Sequence, residues 1–151
     1  MRQIGFLASM LLALLLAGGS ALAADALPPN PPGVSAPEEY SFGDVVAAKD
    51  WRAVSLVLDT LEDRFGEKSM RITIRNLDDA ADPEAIKAYY MTHLPGWIEL
   101  ELDADPRRQS WSFALVSPDQ DQAFAVVALT PEAAGYTGKV PMSVLTNLPP
   151  D

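Results

Sequence analysis

The side chains of this chain that could do chemistry are few in kind. Among 151 residues there is one histidine, His93, and no cysteine. Without thiols there is no cysteine nucleophile, no thiolate metal site and no disulfide. A serine triad would have to take His93 as its base, yet no Gly-x-Ser-x-Gly turn is present. A zinc site would have to be mostly carboxylate, against the preference of zinc for nitrogen and sulfur ligands. No glycine cluster joins a strand to a helix, so phosphate loops and dinucleotide fingerprints are absent. The residues therefore assign no catalytic group, no metal site and no cofactor, and the chain is not expected to be an enzyme.

Carboxylates are the one plentiful reagent. Glu99 and Glu101 alternate along a strand-like run, which puts them about 7 Å apart on one face. That spacing falls within the range of inverting glycosidases, so a carboxylate-dependent hydrolase of envelope or sugar substrates is the alternative to a protein without catalysis. A solvated sheet face accounts for the same pattern more simply. Asn76, Asp78, Asp79 and Asp82 crowd one loop, and Asp119 and Asp121 another. Neither loop has the spacing of an EF-hand.

Aromatic and basic residues give the remaining candidates. Tyr89-Tyr90 and Gly96-Trp97 bracket the end of a helical segment. Trp97 shares parity with Glu99 and Glu101, so it should lie on their polar side, tucked under a loop or offered to a ligand. Arg71 and Arg75 should occupy the same outer face and pair across strands with those glutamates, or else receive an anion. The candidate ligand- or partner-binding set is thus Trp97, Tyr89, Tyr90, Arg71 and Arg75.

The elements that would carry these residues follow from periodicity. Ala47, Trp51, Val54, Leu58, Leu61 and Phe65 recur at helical spacing and predict a helix from Asp44 to Phe65, with Gly66 at its end. Ser69 to Arg75 alternates as a strand, with Met70, Ile72 and Ile74 inward. Asp82-Pro83-Glu84 opens a second helix, with a capping carboxylate and proline at its first position. That helix ends at Pro95-Gly96, with His93 placed to satisfy a free carbonyl in its last turn. Further strands are expected over Trp97 to Asp103, Gln109 to Val116 and Gln122 to Thr130. The last of these is apolar on both faces and therefore central. Val140 to Leu148 reads as an edge strand. The fold expected is α+β: two helices on a mixed, mainly antiparallel sheet of four to five strands, in the order α-β-α-β-β-β. The first two strands should be parallel neighbours, since a helix joins them.

The two ends of the argument are address and charge. Met1 to Ala23 reads as a signal peptide, with Arg2, an apolar run of about 14 residues and Ala21-Leu22-Ala23 before the cleavage point. A spanning helix needs roughly 20 apolar residues, so no membrane span is expected after cleavage. Residues 24–39 contain Pro28-Pro29-Asn30-Pro31-Pro32 and read as a disordered, polyproline-like linker. Residues 40–151 are left as one domain. A net charge of −10 repels nucleic acid. Together these describe a small acidic periplasmic or secreted protein. It is expected to be a binding or interaction module whose partner is an envelope protein or a small ligand. A further alternative is an inhibitor of an exported enzyme, with Asp103 to Arg108 projecting as a wedge.

Overall fold

The computed structural model describes residues 24–37 and 42–150. The leader, Met1 to Ala23, and the expected domain start at Tyr40 lie outside the described residues. The elements are β1 (Val34–Ser35), α1 (Asp44–Phe65), β2 (Arg71–Asp78), α2 (Pro83–His93), β3 (Ile98–Leu100), β4 (Ser110–Val116), β5 (Ala123–Leu129), α3 (Pro131–Ala134) and β6 (Lys139–Thr146). They form an α+β fold around one antiparallel sheet of six strands, in the order β1-β2-β6-β5-β4-β3.

Two expectations about the sheet are corrected. Among the described residues no strand pair is parallel, and the strands on either side of α2 are not neighbours, because β2 pairs with β1 and β6 while β3 pairs with β4 at the far edge. The connection through α2 crosses the whole sheet. The expected edge strand β6 takes the place beside β2. Seven of its eight residues are buried, and only a central position hides both faces of such a strand. Its Pro141 lies opposite Asn76 of β2, beyond the point where the β5 register stops at Met142, so that flank needs no donor from it. β5 is central and wholly buried, as its two apolar faces require.

Each face of the sheet carries its own core. On one side α1 packs Ala53, Val54, Val57 and Leu61 onto Ala114, Ala123, Ala125, Val127 and Leu145. Alanines on the sheet let the helix come close, and they select its phase. The expected stripe is rotated: Val54 and Leu61 are buried as predicted, but Trp51 is 60% exposed. The stripe that faces the alanines is Asp50-Ala53-Val54-Val57-Leu61, built from side chains that fit a narrow gap. A carboxylate, Asp50, is buried with it.

On the other side α2 packs Ile86, Tyr90 and Leu94 over Phe113, Leu115, Phe124 and Val126. Asp82 caps α2 as expected, accepting the Glu84 N–H at 3.1 Å. Eleven residues of helix are too few to cover this face. Residues 24–37 complete the cover. Expected as a disordered linker, this segment instead lies along the fold. Gly33, at φ 84°, turns the chain into β1, which pairs with Asn76 and Leu77 of β2. Leu27 and Val34 pack on the α2-side core. The segment's prolines keep it out of helix and sheet interior, but an extended segment can still dock when side chains supply its partners.

Candidate functional site

A cavity of about 310 Å³ lies between this N-terminal strap and the sheet, walled by Leu27, Pro28, Pro29, Asn30, Arg75, Tyr90, Phe124 and Val144. It is at the small end of the range for ligand pockets, roughly 300–1,000 Å³.

The strap is held at several points. At its start the Gln122 side chain acts as a substitute strand edge: its Oε1 accepts the Ala24 N–H and its Nε2 donates to the Ala24 carbonyl, both at 3.0 Å. In the middle Asn30 is the anchor. Its Oδ1 accepts from Arg75 Nε at 3.3 Å, and its carbonyl accepts from the Tyr89 hydroxyl at 3.4 Å. β1 fixes the far end. Side chains from β2, α2 and the turn before β5 thus bind a segment that has no strand geometry of its own between Ala24 and Pro32.

Tyr90 forms the floor. It is 1% exposed, with its ring 4.7 Å from Phe124 and edge-on to Tyr89. Among the described residues its hydroxyl has no hydrogen-bond partner. Burial pushes that phenol up to about 12, and the Arg75 charge beside it offsets only part of the rise. It is therefore a neutral donor at any physiological pH. Arg75 belongs to β2, opposite Met142, so its side chain emerges on the α2 side of the sheet. It has no carboxylate partner among the described residues. Besides Asn30 it contacts only the carbonyl of Ile74, at 3.1 Å.

Three of the five expected residues, Tyr89, Tyr90 and Arg75, therefore meet at one place. Arg71 is on the same face four residues away but donates to the Leu148 carbonyl. Trp97 requires a correction. Its parity with Glu99 was read properly, but that side is a second core, and Trp97 is 7% exposed within it. The expected pairs of Arg71 and Arg75 with Glu99 and Glu101 do not form, since β2 and β3 lie near opposite edges. Asn30, Gln122, Phe124 and Val144 were not singled out from sequence. The one available signal was Gln122, a polar residue at the mouth of an all-apolar strand.

The acidic residues sort differently. Glu99 is half-exposed and paired with Lys87 at 2.5 Å. Glu99, Glu101, Asp103, Asp105, Arg108 and Trp111 line an open groove of about 440 Å³. Burial would raise the Asp105 carboxyl, but donors outweigh it: the Arg107 N–H, the Ser110 hydroxyl, the Gln109 N–H and the Arg52 charge hold it below its usual value. Asp105 organises its loop and ties it to α1 through Arg52, at 3.6 Å. Asp78, Asp82 and Asp119 accept local backbone N–H groups, and Asp79 accepts from Gly138. His93 Nδ1 is 2.9 Å from the Tyr89 carbonyl, the helix-end position expected of it, and its ring stacks on Tyr89.

No protein-family model, curated protein or solved structure matches this chain. Its fold class is what the coordinates give: α+β, with no helix among the described residues long and apolar enough to cross a membrane.

Proposed function

We propose that this chain is an exported binding protein without catalytic chemistry, and that its ligand site is the cavity under the strap. One observation carries the reading: Tyr90, a buried ring with a neutral phenol, lines the cavity together with Arg75, which has no carboxylate partner among the described residues. Pockets of this kind hold a ligand by a few convergent polar groups on an otherwise apolar wall, and a phenol beside a guanidinium is such a pair. Export is supported by the leader sequence, with Arg2, an apolar run and Ala21-Leu22-Ala23.

The test uses protein recovered from cells expressing the full chain, titrated with small amphiphiles such as hexanol and hexanoate. Amide and side-chain NMR shifts should concentrate at Leu27, Asn30, Arg75, Tyr90 and Val144. Shifts confined to Glu99–Arg108 would transfer the function to the acidic groove. Absence of any saturable shift would remove small-ligand binding altogether.

The hydrolase remains the second reading, because Glu99 and Glu101 do line a groove together with an aromatic side chain. The Lys87 pair weighs against it, since it occupies the glutamate that would have to handle a proton. The inhibitor reading is weaker still, because the Asp103–Arg108 loop is tethered inward by Asp105.

A further inference from the structure

Resting on the binding reading above, we infer that the strap cavity takes a carboxylate: a small monoanion with an apolar body, its head held by Arg75 and Tyr90. The argument begins with how the guanidinium is already used. Arginine has five N–H donors in a planar fork. Nε–H goes to Asn30 Oδ1 and one Nη1–H to the Ile74 carbonyl. The donors left over are all on the two Nη atoms, which form the end that accepts two oxygens of one planar group. Asn30 and Ile74 hold the guanidinium plane, so the fork is oriented before anything binds.

Tyr90 supplies a further donor at the same place, since its neutral phenol lines the cavity beside Arg75. Leu27, Phe124 and Val144 contribute apolar side chains to the lining for the rest of the ligand. About 310 Å³ holds about ten water molecules, or a ligand of similar size. Hexanoate is of that order.

Charge narrows the class further. The whole chain carries −10, and its field opposes every approaching anion, a dianion twice as strongly. A single arginine cannot reverse that for a phosphate ester, but it can favour a monoanion that also buries hydrocarbon. Arg71 cannot serve as a second cation, because it is turned to the Leu148 carbonyl.

The experiment compares hexanoate with hexanamide, its uncharged isostere, on the protein recovered from cells expressing the full chain. Hexanoate should bind at least about tenfold tighter, the effect of adding charge to a paired hydrogen bond, with the Arg75 Nε resonance shifting. Arg75→Gln should bring the two probes within about twofold. Arg75→Lys, which keeps the charge and loses the fork, should recover only part of the preference. Tyr90→Phe should weaken hexanoate about fivefold. Equal affinity of the two probes at the cavity would overturn the carboxylate assignment and leave the binding reading standing. Inorganic phosphate competing as well as hexanoate would equally overturn it, by removing the role of the apolar body. If neither probe reaches the cavity, both readings fall.

Discussion

The two faces of the sheet solve the same problem in opposite ways. The α1 face is covered by one long helix, and its buried side chains are alanine, valine and leucine. The α2 face holds Tyr90, Trp97, Phe113 and Phe124 under a short helix and a strap. Small side chains allow a close helix and leave little free volume. Large rings under a discontinuous cover leave a cavity. The first face accepts unpaired polar atoms inside its packing, Asp50 Oδ1 with Asn76 Oδ1 and Ser143 Oγ on the strands. The second keeps its misfits, Tyr90 and Arg75, at the edge of an accessible space. The lesson is that packing density, more than the count of polar residues, separates the scaffold side of this molecule from the candidate binding side.

That contrast is most exposed to volume changes. Leu61→Ala, in the close-packed layer, should cost about 2–5 kcal/mol. Val127→Leu, in the same layer, should cost about 1–3 kcal/mol by overpacking. Val144→Leu adds similar bulk where the cavity can accept it, and should stay within about 1 kcal/mol while reducing ligand binding. Urea unfolding of the three variants measures this directly. Equal costs for Val127→Leu and Val144→Leu would mean that the two faces do not differ.

Asp50 tests the α1 face by pH. Burial raises its carboxyl from 3.8 to about 6, and Oδ1 has no partner. The neighbouring cations are engaged elsewhere, Lys49 with the Ala133 carbonyl and Arg52 with Gln109 and Asp105. The unfolded chain has the ordinary, lower value. Between pH 4 and 6 the folded state therefore binds a proton that the unfolded state does not. The contribution is fully present below about 4, declines as pH rises, and is lost above about 6, a swing on the order of 3 kcal/mol. Asp50→Asn should flatten this dependence and raise the urea midpoint at pH 8. A variant no more stable than the parent at pH 8 would mean that the carboxyl is better solvated than its burial implies.

How much of this was legible beforehand depends on the range of the interaction involved. Local signals read well: the Asp82 cap, the Gly66 stop, the His93 position and the double-faced apolarity of β5 are all set within a few residues. The α1 stripe was only half legible. The segment from Val54 to Leu61 offers overlapping apolar stripes, and Ala123 and Ala125, far along the chain, decide between them. Sheet order was not legible, because the partner of β2 is the last strand. The aromatic site was partly legible in Tyr89, Tyr90 and Arg75. Its other half, the strap, was hidden by prolines that correctly excluded helix and sheet but gave no sign of docking. Of the two places open to Trp97, under cover or offered to a ligand, the structure takes the first, because this face of the sheet has a core of its own.

The strap itself is the next point of attack. Gln122→Leu removes both bonds to Ala24 and should cost about 1–2 kcal/mol. Hydrogen exchange should accelerate at residues 24–32 and stay unchanged along α1. Exchange rising on both faces together would show that the strap belongs to the global cooperative unit rather than to a separately opening one.

The smallest expected stability change carries the most functional information. Tyr90→Phe removes one oxygen from a side chain that is 1% exposed. Where a buried tyrosine donates to a protein acceptor, losing that bond costs roughly 1 kcal/mol. Here there is no acceptor to abandon, and the ring keeps its contacts with Phe124 and Phe113. The thermal midpoint should therefore hold, with a change within about 0.5 kcal/mol, while affinity for a carboxylate probe falls. A residue kept for packing would show the reverse pattern. A loss of stability as large as an ordinary buried hydrogen bond would mean that the hydroxyl is satisfied within the fold. Tyr90 would then be structural, and the strap cavity would lose its buried donor.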